Sequence, residues 1–123
     1  MRNSTAMAMP NKVKTIELDG DLDLFGDHSI EIHRTVSHTP GSQMMVVRLP
    51  KTGTVLLTSD AIYLQENLDK NILPSVGSVY SPTGMLDAYA WAKRLRDLEN
   101  ADILMARDPD NFKAHSHSPE FYE

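Results

Sequence analysis

Two short segments of the chain carry side chains that could bind a metal ion. His38 lies on a loop that turns sharply at Pro40 and Gly41, which would hold its imidazole in a fixed place. Asp60 comes two residues after the largely apolar run 55–58, where a buried strand would end. Zinc is bound in proteins by imidazole and carboxylate groups. A carboxylate can also bridge the two ions of a dinuclear hydrolase, which lie roughly 3.5–4 Å apart. We therefore take His38 and Asp60 as candidate metal ligands.

A third candidate, Tyr63, lies three residues after Asp60. Its phenol could donate a hydrogen bond to a substrate carbonyl as negative charge develops on that oxygen. Each candidate also has a plain structural alternative: His38 as a polar loop residue, Asp60 as the cap of a following helix, and Tyr63 as a packing residue. His115 and His117 could bind metal as a pair, but their polar surroundings favour a solvated tail.

The elements that must position these residues begin with a predicted hairpin. Segments 43–49 and 54–58 are rich in apolar and β-branched residues and are joined by the turn 50–53, which contains Pro50 and Gly53. Both strands are predicted to be buried on each face. Alternation over 28–36 predicts a further strand, and 101–106 predicts a short one.

One long helix is expected after the hairpin. Ser81 is a favourable N-cap, Pro82 suits the first helical position, and apolar residues recur at helical spacing as far as Glu99. Segment 60–71 is expected to begin helically and then become irregular. The order of strands, hairpin, long helix and strand predicts an α/β (α+β) fold.

Composition limits the class of protein. The 123 residues fit one domain, which we place at 12–123 after a disordered lead-in at 1–11. The net charge of −5 and the scattered Lys and Arg residues argue against nucleic acids and anionic membranes as partners. No cysteine is present, so thiolate metal sites are excluded, and no apolar run approaches the roughly 20 residues that span a bilayer. We expect a cytoplasmic protein.

Four segments together resemble the metallo-β-lactamase superfamily, and more narrowly its N-acyl-homoserine lactonases. They are His38-Thr39-Pro40-Gly41-Ser42-Gln43, the run 55–63 that ends Asp60-Ala61-Ile62-Tyr63, the helix from Pro82, and Arg107-Asp108 after the last strand. The resemblance covers residue 19 to the C-terminus. It implies the C-terminal sheet-plus-helix half of an αββα sandwich. It also implies that His38 is a zinc ligand, that Asp60 bridges two metals, and that Tyr63 lies near the carbonyl of a lactone substrate that metal-bound hydroxide opens.

The sequence departs from that family in two ways. The family's H-x-H-x-D-H motif, which supplies most metal ligands, occurs nowhere in this chain. Arg107 stands where the family has a histidine ligand, and a guanidinium has no lone pair to offer a metal. One His and one Asp are fewer than the three or four protein ligands of a tight zinc site. We therefore expect a truncated or degenerate hydrolase that binds zinc weakly or not at all and is inactive as an isolated chain.

The predicted burial of both hairpin faces implies an uncovered apolar face if the second sheet of the sandwich is missing. Such a face favours self-association or aggregation, so a homodimer or poor solubility is expected. The alternative function is accordingly a non-catalytic sheet-and-helix module that binds itself or a partner. A third possibility is an independent small domain in which His38 and Asp60 are structural.

Overall fold

The computed structural model describes residues 16–123. The expected lead-in at 1–11 lies outside the described residues. The strands are β1 (Leu22–Asp23), β2 (Ile30–Arg34), β3 (Gln43–Leu49), β4 (Gly53–Leu57) and β5 (Asp102–Leu104). The helices are α1 (Gln65–Lys70), α2 (Pro82–Glu99) and α3 (Pro109–Ala114). Among the described residues, no helix is both long enough and apolar enough to cross a membrane.

The five strands form one mixed sheet in the order β1-β2-β3-β4-β5. Neighbours are antiparallel except β4 and β5, which run parallel. A parallel pair needs a long crossover, and the segment that contains α1 and α2 supplies it. The predicted hairpin is confirmed: β3 pairs with β4 from Met45 opposite Leu57 to Leu49 opposite Gly53, and Gly53 has a φ of +88° at the turn.

Helix α2 covers one face of the sheet and has the predicted bounds. The Ser81 side chain accepts a hydrogen bond from the Gly84 N–H at 3.1 Å, and Asn100 ends the helix in the left-handed conformation. Its inward-facing side chains join those of the strands in one buried core. The core includes Met44, Val46, Leu56, Ile103, Met85, Ala88, Tyr89 and Ala92.

The other face of the sheet is only partly covered, so the prediction that both hairpin strands are buried on each face is only partly right. Met44, Val46 and Leu56 are buried towards α2, whereas Leu57 is 38% exposed. On this second face Ile32, Met45, Leu57 and Leu104 pair in one row across four strands. The row remains accessible because α2 packs on the opposite side.

A short helix and an ordered tail follow the last strand, which the sequence interpretation missed. Asp108 is the N-cap of α3 and Pro109 its first residue. The expectation of a solvated tail is wrong for His115, whose side chain is 11% exposed. His117 is exposed and stacks on Phe112 at 4.0 Å between ring centroids. The signal for this helix, Asp followed by Pro, was present in the sequence.

Candidate functional site

The loop that carries His38 is held at both of its ends. The Thr35 N–H donates to the Ser42 carbonyl oxygen at 2.8 Å, which closes the loop after β2. The Ser37 carbonyl oxygen accepts from the backbone N–H groups of Tyr80 and Ser81, both at 3.0 Å. Since Ser81 caps α2, the start of the long helix and the His38 loop form one unit.

The His38 ring is oriented by its own hydrogen bond. Its Nδ1 lies 2.8 Å from the Ser78 carbonyl oxygen, and because a carbonyl can only accept, Nδ1 is the donor. In the neutral ring Nε2 then keeps its lone pair. Nε2 faces Asp60, 3.8 Å from Oδ2. The Tyr63 hydroxyl lies 3.1 Å from Nδ1. The ring is thus presented as a metal-ligating histidine would be.

Asp60 lies in the single turn at Ser59–Ala61 that follows β4. The preceding Ser59 has a φ of +51°, a conformation that is uncommon for residues other than glycine. The turn is fixed by the buried Thr58, whose hydroxyl lies 3.1 Å from the Ile62 carbonyl oxygen. This geometry points Asp60 towards His38, and the structure gives it no role as a helix cap.

Arg107 occupies both oxygens of Asp60. Its Nε donates to Oδ1 at 2.6 Å and its Nη2 to Oδ2 at 3.0 Å. This two-point contact lowers the pKa of Asp60 and raises that of Arg107. The same guanidinium lies 5.0 Å from the ring centroid of Tyr63, in cation–π contact.

Asp108 joins the loop of Arg107 to the segment that follows Tyr63. One carboxylate oxygen accepts from the Gln65 N–H at 2.8 Å, at the start of α1. The other accepts from the N–H groups of Asp110 and Asn111, each at 3.0 Å, at the start of α3. These backbone hydrogen bonds, the one from Gln65 first, lower the pKa of Asp108. The sequence interpretation gave this residue no function.

The structure brings all four predicted site residues together: His38, Asp60, Tyr63 and Arg107. Their chemical roles stay predictions. His115 instead contacts the Asn111 carbonyl oxygen through Nδ1, at 2.6 Å, and the Asp102 carboxylate through Nε2, at 2.9 Å.

A zinc ion does not fit the described residues as they stand. Within residues 16–123, no cluster of three or more His, Asp and Glu side chains is placed to hold a metal ion. His38 and Asp60 supply two candidate ligands where zinc takes three or four. Both oxygens of Asp60 already accept hydrogen bonds from a cation. We therefore derive no metal-dependent step for this chain.

Comparison with known proteins identifies relatives over most of the chain. The N-acyl homoserine lactonase AttM of Azorhizobium caulinodans is 29% identical over 107 residues, which are 87% of this chain and 40% of the relative. AttM of Agrobacterium fabrum is 30% identical over 104 residues, 85% of this chain and 39% of the relative. The lactonase AiiA of Bacillus thuringiensis subsp. kurstaki is 27% identical over the same share of this chain. No family model matches the chain.

Solved structures give the same result for the fold. The structure of an N-acyl homoserine lactone hydrolase with the product N-hexanoyl-L-homoserine at its catalytic metal centre superimposes with a TM-score of 0.74 at 25% identity. The match covers 85% of this chain and 40% of that one. A quorum-quenching N-acyl homoserine lactone lactonase gives the same TM-score and identity, with 42% of its chain covered. The chain is therefore a homologue of N-acyl homoserine lactonases that spans about 40% of their length and has the corresponding part of their metallo-β-lactamase fold.

Proposed function

We propose that this chain carries a lactonase-like partial site and that these 123 residues alone neither bind zinc tightly nor hydrolyse lactones. The observation that carries the proposal is the two-point contact of Arg107 with Asp60 beside His38. The contact leaves His38 and Asp60 close together, but it occupies the Asp60 carboxylate, which is then not free to bind a metal. The candidate substrate class is a small-molecule lactone and the expected compartment is the cytoplasm.

Within this partial site, Tyr63 is the residue suited to a lactone carbonyl. Its hydroxyl lies 3.1 Å from His38 Nδ1, and Arg107 packs over its ring. The hydroxyl could donate to a carbonyl oxygen on which negative charge develops. A hydrogen bond alone does not generate a nucleophile, so lactone binding without turnover is the expected behaviour.

The test is hydrolysis of an acyl-homoserine lactone, followed by chromatography, with and without added zinc. The rate for the purified chain should equal that of zinc in buffer, and Asp60→Asn should not change it. Hydrolysis above the zinc control that is lost in Asp60→Asn would contradict the proposal. Loss in the variant matters because trace contaminating enzyme would survive it.

A second candidate function is self-association through the sheet, and the partly exposed row on its second face favours it. Ile32, Met45, Leu57 and Leu104 line a groove of about 530 Å³ between the sheet and α3. Apolar surface of this kind is typical of interaction sites. We propose that two copies pack these faces together in a homodimer.

The oligomeric state decides this alternative. Leu57→Lys places a charge in the row and should convert a dimer to a monomer in light scattering. Leu98→Lys is the matched control, since Leu98 is 78% exposed on α2, away from the row. A wild-type chain that stays monomeric at high concentration would refute the dimer.

A further inference from the structure

Arg107 lies on Asp60 in the position from which a metal ion would bind that carboxylate. The side chain of Asp60 is 31% exposed and that of His38 is 28% exposed, so both groups are accessible to a small ion. The Arg107 guanidinium nevertheless takes both carboxylate oxygens, one through Nε and one through Nη2. We propose that the Arg107 guanidinium takes the place of a metal ion at Asp60 and excludes divalent metals from that carboxylate.

Two contacts outside the ion pair hold Arg107 in this position. The ring of Tyr63 lies under the guanidinium at 5.0 Å. The next residue, Asp108, accepts three backbone N–H bonds that join the starts of α1 and α3. An exposed arginine without such support would sample many rotamers, and its ion pair would contribute little. The Arg107 side chain is 55% exposed, but the Tyr63 ring and the backbone fixed at Asp108 restrict its conformations.

The guanidinium excludes metals for two reasons: it has no lone pair to offer a metal, and it carries a positive charge. The guanidinium has donors only, so it adds no ligand to His38 and Asp60. Its positive charge repels a dication that approaches the same carboxylate. Metal binding would require Arg107 to leave Asp60 and give up the contact with Tyr63. This inference concerns cation choice at Asp60 and holds whether or not the site ever acts on a lactone.

The experiment compares substitutions at Arg107 by zinc titration calorimetry and by the visible absorption of bound Co²⁺. Arg107→His removes the charge and supplies an imidazole beside His38 and Asp60. Arg107→Lys keeps a charge that cannot ligate while protonated. Arg96→His is the matched control, because Arg96 also pairs with aspartates, Asp97 at 3.0 Å and Asp69 at 3.8 Å, but lies near the C-terminal end of α2, far from the His38 loop at its start.

We expect Arg107→His to bind zinc at least about ten-fold more tightly than the wild type and to show Co²⁺ bands, since it completes a three-ligand set. Arg107→Lys and Arg96→His should bind like the wild type. The gain should vanish when Asp60→Asn is added. If Arg107→His fails to fold by circular dichroism, Arg107→Gln, which removes the charge and keeps a side chain of moderate length, should still bind more tightly than Arg107→Lys.

Two results would overturn the proposal. The first is a wild-type chain that binds zinc as tightly as Arg107→His and loses that binding on Asp60→Asn. The second is a folded Arg107→His, or a folded Arg107→Gln in its place, that binds no more tightly than Arg107→Lys. The second result leaves the proposed function standing, because it concerns only Arg107, whereas the first would also contradict the weak zinc binding proposed for the chain.

Discussion

Asp108 offers the sharpest test of how the site loops are held together. Its carboxylate joins the first turn of α1, through the Gln65 N–H, to the first turn of α3. Asp108→Ala removes all three hydrogen bonds. Asp108→Asn leaves an amide oxygen that can still cap α3 but turns the other oxygen into an NH₂ group, which cannot accept from Gln65.

The free energy contributed by the α3 cap and that contributed by the hydrogen bond from Gln65 can be estimated separately. Removing an N-cap costs about 1 kcal/mol. A charge-assisted hydrogen bond contributes about 1.5–3 kcal/mol, and the lower end applies because Gln65 is exposed. Asp108→Ala should therefore lower the free energy of unfolding by about 2.5 kcal/mol and Asp108→Asn by about 1.5 kcal/mol. The control Asp110→Asn, at an exposed position of the same turn, should cost about 0.5 kcal/mol or less.

Urea unfolding followed by circular dichroism measures these differences. The pKa of Asp108 is lowered in the folded chain, so its contribution is present above the ordinary value of 3.8 and is lost as the pH falls through the lowered pKa. The gap between wild type and Asp108→Asn should thus persist at pH 5. A loss for Asp108→Asn no larger than that for Asp110→Asn would refute the reasoning.

Two further predictions concern stability. Burial lowers the pKa of His115, but its hydrogen bonds, including that to Asp102, outweigh burial and raise it above 6.5. Its stabilisation is therefore full below pH 6.5 and is lost as the pH rises through the raised pKa. His115→Gln should thus lower the free energy of unfolding more at pH 5.5 than at pH 8.5 in urea unfolding, and an equal loss at both pH values would contradict this. A Cβ on Gly84 would overlap the Val36 carbonyl oxygen. Although alanine has a better helix propensity than glycine, Gly84→Ala should therefore lower the free energy of unfolding by about 2 kcal/mol. An unchanged melting temperature would contradict this.

The elements that sequence reasoning located are those with strong local signals. Helix α2 has the Ser81 cap, the following proline and a long apolar period, so both ends could be predicted. The hairpin was clear from two apolar runs and the glycine turn at Gly53. Local signals also placed His38 and Asp60 at the ends of predicted elements, which is why they converge as expected.

What sequence reasoning missed depends on contacts between distant segments. Asp108 and Gln65 are far apart in the chain, and no local pattern predicts that a carboxylate would join two helix starts. The burial of His115 likewise depends on Asp102 in the neighbouring strand. The sequence identified Arg107 as a residue that cannot ligate. Its two-point contact with Asp60 required the parallel pairing of β5 with β4, which brings the two loops to one edge.

A crystal structure grown with excess zinc, with anomalous data collected at the zinc edge, tests the central claim most directly. The account predicts the Arg107 guanidinium within hydrogen-bond distance of both Asp60 oxygens and no anomalous peak at that carboxylate. A zinc peak between His38 Nε2 and Asp60, with Arg107 turned away, would contradict it.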